Sequence, residues 1–217
     1  MIGVSYTILA ILTIFAVFLT FQAIGGKLFG AKISEVGVFN SPKIFSFDLG
    51  GVTFSLNALP LGCYVKFTDD FQHLHPFKKI LIVLSGLLSY VVIALIGLSF
   101  AETLHQTISG FGQLFSGLFA PIAVGAKYFE ALANVLTTNS FTTGLGILAS
   151  KFLAFNLIPL GSLSGGSLVI YALQLFGIKS EKFSEKFQLI GLLFLLPFYI
   201  AYLIAFAVFV WNRLGYN

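Results

Sequence analysis

The middle of one charge-free segment of the chain, 152–178, reads Asn156-Leu157-Ile158-Pro159-Leu160-Gly161-Ser162-Leu163-Ser164-Gly165-Gly166. A segment of this length without charge is long enough to cross the hydrocarbon core of a membrane as a helix. A proline and three glycines at its centre, however, are unfavourable in a helix interior. Backbone groups freed at membrane depth need protein or water partners, so such breaks line cavities or sites. We therefore predict a broken membrane span over 141–178.

Three further stretches without charge surround this segment, at 2–26, 80–101 and 187–212. The whole sequence has 58% hydrophobic and only 9% charged residues and a mean hydropathy of +0.98, which excludes an ordinary soluble domain. The first stretch lacks a basic start and an A-x-A-like cleavage site, so we interpret it as a retained helix and not as a signal peptide. We predict an α-helical polytopic membrane protein with about four transmembrane helices, forming a single membrane domain over 1–217.

Lysines are concentrated in the connections after the first and third spans. Lysine-rich connections stay on the cytoplasmic side of a membrane, so we place both of them there and both termini on the non-cytoplasmic side. No basic stripe interleaved with aromatic residues is present, so we predict no nucleic-acid partner. The lysines of the two connections are Lys27, Lys32, Lys43, Lys66, Lys78 and Lys79, followed by Lys179, Lys182 and Lys186.

The region 33–67 has short runs of alternating polarity in place of continuous apolarity. The runs 44–48 and 52–56 flank Gly50-Gly51, a pattern typical of a β-hairpin with a glycine turn. An open sheet edge is tolerated in lipid only where protein or water covers it. We therefore predict a membrane-associated β-hairpin that lies against the helices.

The segment at about 115–136 contains Pro121 and three small residues and is too interrupted to span a membrane. Lys127 and Glu130 lie one helical turn apart within it. We predict an interfacial helix on the outer side.

Two motifs resemble those of the site-2 proteases, a family of intramembrane zinc metalloproteases. The segment 57–66, NALPLGCYVK, resembles that family's Pro-x-Gly-Gly-Tyr-Val-Lys motif, with Cys63 in place of the second glycine. The segment 156–166 is similar to the family's Asn-x-x-Pro motif and the Leu-Asp-Gly-Gly motif that follows it. Weaker similarities occur at 29–33 and 85–90. The chain is identified as a degenerate, M50-like member of this family, and the resemblance implies its fold and an inner-membrane location in bacteria.

The zinc site that the resemblance implies has lost its ligands. The family's H-E-x-x-H motif supplies two zinc-binding histidines and a glutamate that activates water. Counted back from Phe29, this motif falls on Phe18, Leu19 and Gln22, and a register shifted by four residues is equally empty. The third ligand, an aspartate, corresponds to Ser164, whose neutral hydroxyl is a poor zinc ligand. We predict no catalytic residue, no bound metal and no cofactor.

Other residues that could support catalysis lie away from the predicted spans or lack a partner. His73 and His75 could bind a metal weakly if they lay on a strand, but a solvated pair is the simpler interpretation. His105 is expected on the opposite side of the membrane, and Cys63 stands alone. Three serines near the break, Ser162, Ser164 and Ser167, have only Lys151 as a candidate base.

A set of polar and motif residues is predicted to face the former active site and to bind a partner. One interpretation is that they only form interhelical hydrogen bonds, and the other is that they line a groove that grips a transmembrane segment. We predict a pseudoprotease that binds a helical membrane protein as chaperone, scaffold or stability factor, for example as a subunit of a transporter, secretion or motor complex. A cryptic metalloprotease and a small transporter or channel are the alternatives. The predicted partner-binding residues are Thr20, Gln22, Phe54, Asn57, Pro60, Asn156, Pro159, Ser162, Ser164 and Ser167.

Overall fold

The computed structural model describes residues 2–138, 140–178 and 181–215, together with the backbone but not the side chains of Asn40, Ser41, Pro60, Leu61 and Glu181. The chain forms seven α-helices and two long strands within these ranges. In chain order they are α1 (Ile2–Leu28), β1 (Ile33–Leu49), β2 (Val52–Phe67), α2 (Pro76–Gly97), α3 (Phe100–Phe119), α4 (Ala126–Thr138), α5 (Phe141–Leu157), α6 (Ser164–Leu175) and α7 (Glu181–Leu214).

Among the described residues, three helices are long and apolar enough to cross a membrane: α1, α2 and most of α7, from Lys182 to Leu214. The predicted third span is present as two shorter apolar helices, α5 with 17 residues and α6 with 12. The predicted second span extended to residue 101, but α2 ends at Gly97. There Ser99 begins a new helix by accepting a hydrogen bond from the Glu102 N–H at 3.2 Å, as N-cap serines do.

The two strands form a small mixed sheet in the region predicted as a hairpin. Gly50 and Gly51, with φ of 61° and 79°, make the turn, as the favoured two-residue hairpin turns require. Each strand bends, so that 33–38 pairs antiparallel with 63–67 and, on its other side, in parallel with 53–56. The stretch 43–49 pairs only with 52–57 among the described residues. This stretch is therefore an edge of the sheet.

The break between α5 and α6 is a tight glycine turn. A side chain at Gly165 would meet the carbonyl oxygens of Leu157 and Ile158, and one at Gly166 would overlap the carbonyl of Leu160. Gly161 lies against the backbone of α7 at Phe187 and Gly191. The helix breaks here at a turn whose backbone packs closely only if three positions carry no side chain.

The prediction of a single helix over about 115–136 is wrong. Two helices, α3 and α4, flank a π-helical turn that begins at Pro121. α3 runs alongside α5 in the same direction, because Gln106 contacts Lys151 and Gly110 packs against Ala154. α4 then returns alongside α7. The two helices thus form a helical hairpin that packs between α5 and α7. Glycines at these contacts permit the helices to approach one another closely.

Candidate functional site

Aromatic rings surround Phe18, the residue predicted as the counterpart of the first zinc ligand. Phe18 on α1 is 6% exposed and stacks on Tyr90 of α2, with ring centroids 5.3 Å apart and planes inclined by 17°. Tyr90 in turn stacks on Phe152 of α5 at 6.0 Å. Gly86 makes room for the Phe18 ring, since a Cβ there would lie 2.8 Å from Phe18 Cε2. We call Phe18, Tyr90 and Phe152 the aromatic stack; it joins three helices.

The polar residues of the broken span attach to this stack. The Asn156 side-chain amide donates to the Phe152 carbonyl at 3.0 Å and to the Tyr90 hydroxyl at 3.4 Å. The Ser164 hydroxyl at the start of α6 donates to Asn156 Oδ1 at 3.5 Å. Ser164 and Phe18, which the sequence comparison predicted as counterparts of the third and first ligands, are therefore linked through Asn156 and Tyr90. Every contact in this series is made by a neutral polar group or an aromatic ring.

The remaining predicted site residues of the break are not all part of this network. Pro159 and Ser162 are exposed in the turn, and Ser167 is half-buried one turn into α6. Thr20 is exposed, and its hydroxyl donates to the Ala16 carbonyl of its own helix at 2.8 Å. Gln22 is half-buried on α1. The expectation that Thr20 and Gln22 meet the polar residues of the third span has no supporting hydrogen bond among the described residues.

An apolar groove of about 490 Å³ lies between α1 and the mixed sheet. Leu19, Thr20 and Phe54 from the predicted site line this groove, so the structure brings these three residues together. The groove and the aromatic stack lie on different faces of α1. Phe54 stacks on Phe47 at 5.3 Å. The edge stretch 43–49 borders the groove and is exposed along its length. Geometrically, the groove offers apolar surface beside an unpaired sheet edge.

A buried polar cluster holds the sheet behind this groove. Asn57 is 2% exposed, and its amide donates to the Phe39 carbonyl at 3.0 Å and to the Tyr64 hydroxyl at 3.3 Å. The Tyr64 hydroxyl donates to Glu35 at 3.0 Å, and Lys43 pairs with the same carboxylate at 2.9 Å. The hydrogen bond from Lys43 lowers the pKa of Glu35. Asn57 is therefore a structural residue of the sheet, and the side chain of Pro60, in β2, lies outside the described part.

The candidate metal ligands of the sequence lie apart from one another. His73 ends a short 3-10 helix, Asp69–His73, and His75 caps α2 by accepting from the Phe77 N–H at 3.3 Å, so the pair does not lie on a strand. His105 is on α3 beside Glu102. Burial raises the pKa of the Cys63 thiol to about 12, which disfavours the thiolate that metals bind. Within the described ranges, no three His, Cys, Asp or Glu residues are grouped so that they could hold a metal ion.

Lys151 is turned away from the serines of the break. Its ammonium donates to the Gln106 carbonyl and to the Ser109 hydroxyl of α3, both at 2.7 Å. The structure therefore gives no support to a dyad of Lys151 with Ser162, Ser164 or Ser167. Sequence reasoning had no means of finding the α3 contact, because it placed no helix beside Lys151.

These features define a class of protein: a helical membrane protein with three helices long enough to cross a membrane, a small mixed sheet and a broken third segment. The family model for peptidase family M50, the site-2 protease family, matches residues 6–198. This match covers most of the 217 residues, so the chain belongs to peptidase family M50. No curated protein matches the chain.

Proposed function

We propose that this member of peptidase family M50 is a pseudoprotease, which binds another membrane protein and does not cleave it. The observation that carries the proposal is the aromatic stack: Phe18, the predicted counterpart of the first ligand, is packed against Tyr90 and Gly86. Zinc catalysis needs three protein ligands and an open position for water. A buried ring at one ligand position supplies neither a ligand nor space for water.

The proposed membrane arrangement has four crossings, with α5 and α6 together making the third. The lysine-rich connections before α2 and before α7 lie on the cytoplasmic side of a bacterial inner membrane, and both termini lie on the other side. This arrangement places the sheet on the cytoplasmic side, next to the break in the third crossing. Its support is the distribution of lysines and the lengths of α1, α2 and α7.

The proposed partner is a helical membrane protein, and the apolar groove is the proposed binding site. An extended segment of the partner pairs with the edge stretch 43–49, where backbone N–H and C=O groups lack a strand partner among the described residues. Strand addition of this kind gives affinity through the main chain and selectivity through side-chain pockets. Leu19, Thr20 and Phe54 form the apolar floor. The chain then acts as a chaperone, scaffold or stability factor for the partner.

The proposed function predicts that a groove-filling substitution lowers the abundance of the partner. Thr20→Trp places a large ring in the groove from an exposed position whose hydroxyl bonds only to its own helix. In a strain that lacks the wild-type gene, we expect this variant to accumulate normally while the partner falls to the level seen in the deletion strain. Quantitative proteomics of the membranes, with co-purification on the tagged wild-type chain to identify the partner, measures both effects.

The matched control is Leu12→Trp, a substitution on the same helix at a residue that is 44% exposed and does not line the groove. It should leave partner abundance unchanged. The proposed function is wrong if deletion of the gene changes the abundance of no membrane protein and no protein co-purifies stoichiometrically. The groove is the wrong site if Thr20→Trp and Leu12→Trp behave alike.

A further inference from the structure

Lys151 is a positive charge within the first half of the broken third segment. It lies ten residues after the start of α5 at Phe141, which places it ~15 Å along the helix axis at 1.5 Å per residue. Its side chain is half-buried between α3 and α5. A charged side chain at such a depth is costly in a membrane and normally has a partner of opposite charge.

The hydrogen-bond acceptors of Lys151 among the described residues are neutral. Its ammonium has three N–H donors, of which one reaches the Gln106 carbonyl and one the Ser109 hydroxyl, each at 2.7 Å. None of the ion pairs among the described residues includes Lys151. Glu102, on the same face of α3, is engaged by the Gln106 side chain at 2.7 Å and by His105 at 3.8 Å. Glu102 is close enough to attract the Lys151 ammonium through space but forms no ion pair with it, so no carboxylate among the described residues contacts the ammonium.

The surface beside Lys151 allows another helix to approach closely. Gly112 follows Ser109 by one helical turn on α3, and a Cβ at Gly112 would meet no atom within 4 Å. Ile108 on the neighbouring position is 62% exposed. Small residues at helix surfaces permit short interhelical distances in membranes. A partner helix on this surface would lie next to Ser109, which the Lys151 ammonium already contacts.

We propose that the α3–α5 surface around Lys151 binds a carboxylate, the side chain of an Asp or Glu in the middle of a transmembrane helix of the partner protein. The inference rests on the proposed function and names a second contact for the same kind of partner, separate from the groove. Charge complementarity selects this occupant, because an ammonium with neutral acceptors gains most from an anion in a low dielectric. In the proposed membrane arrangement α5 begins at the membrane surface, so lipid phosphates lie ~15 Å from Lys151 along the helix axis.

A defined peptide tests the proposal without knowledge of the natural partner. The full chain is reconstituted in phosphatidylcholine liposomes with a labelled polyleucine transmembrane peptide that carries one central Glu, and association is followed by energy transfer. A peptide with Gln at the same position is the reference. We expect the Glu peptide to associate about tenfold more strongly with the wild-type chain, a difference of about 1.4 kcal/mol. Lys151→Met should abolish that preference, and Lys151→Arg should retain it.

Lys127→Met is the matched control, because Lys127 is an exposed lysine on α4 and its loss should leave the preference intact. Equal association of the Glu and Gln peptides with the wild-type chain overturns the inference. So does a preference that survives in Lys151→Met, or one that disappears when phosphatidylglycerol is added, since the counter-ion is then a lipid phosphate. The proposed function fails on a different result, unchanged partner abundance in the deletion strain.

Discussion

Replacing Gly166 with alanine is expected to destabilise the protein by about 3 kcal/mol, the upper part of the range for overpacked interiors. The added methyl group would overlap the Leu160 carbonyl, and the next atom in its way is the Gly161 Cα at 2.7 Å. Both obstacles are backbone atoms of the same turn, so no side chain can rotate away to relieve the overlap. Gly161 is itself fixed against Phe187 and Gly191 of α7, so a shift of the turn would also separate α6 from α7.

Equilibrium unfolding of the purified protein in mixed micelles measures this loss. Gly112→Ala is the control, because a Cβ at Gly112 would meet no atom within 4 Å. Alanine is a better helix former than glycine by up to about 1 kcal/mol, so this control should be neutral or slightly stabilising. If Gly166→Ala unfolds at the same denaturant concentration as the wild type, the turn is not packed as described.

Phe18→Ala is expected to destabilise the protein by about 2 kcal/mol. The stack on Tyr90 contributes about 1 kcal/mol beyond area burial, and the cavity left by a ring that is 6% exposed adds the cost of lost van der Waals contacts. The free energy of transferring the ring out of water is not counted in full in this loss, because lipid is as apolar as the helix interior. The expected effect is nonetheless several times the ~0.6 kcal/mol typical of an interhelical hydrogen bond in a membrane, such as the one between Asn156 and Tyr90.

The same unfolding measurement applies to Phe18→Ala, with Leu12→Ala as its control on the same helix. Leu12 is 44% exposed and should tolerate truncation within about 0.5 kcal/mol. An unchanged stability of Phe18→Ala would contradict the structural role of the aromatic stack.

The hairpin turn and the break between α5 and α6 were both predicted from glycine and proline residues in the sequence. Gly50-Gly51 indicated the turn of the hairpin, and both residues adopt positive φ. Pro159 and the glycines after it indicated the break between α5 and α6. These signals are reliable because a positive φ or a missing side chain is a requirement of the backbone at that residue. The bent strands of the mixed sheet were not predicted, since the second pairing of 33–38 depends on contacts distant in sequence.

The helical hairpin of α3 and α4 escaped prediction for a related reason. Glu102, His105 and Gln106 make the start of α3 look like an exposed connection, and the helix is stabilised mainly by packing against α5 and α7. Gly110 faces Ala154 and Gly125 faces Ala205, contacts that cannot be read without the positions of the other helices. Lys151 was consequently noted only as lying near the serines of the break, and its contact with Ser109 was not predicted.

For the candidate site, the sequence yields a prediction of the ligand positions but not of the packing around them. Phe18 and Ser164 follow from the family motifs alone. That Phe18 stacks on Tyr90, and that Ser164 reaches Tyr90 through Asn156, depends on three helices meeting at one point. The groove formed by Leu19, Thr20 and Phe54 likewise needs the position of the sheet relative to α1. The motifs therefore predict the positions to compare with the family's ligands, and the structure is needed to show what surrounds them.

The zinc content of the protein is the most direct test of the proposal that this member of peptidase family M50 is a pseudoprotease. The full chain is purified from native membranes without chelators and its metal content is measured by mass spectrometry against protein concentration. We predict less than about 0.1 zinc per chain, because Phe18, Leu19, Gln22 and Ser164 provide no set of three ligands. About one zinc per chain, retained through purification and removed only by a strong chelator, would contradict the account.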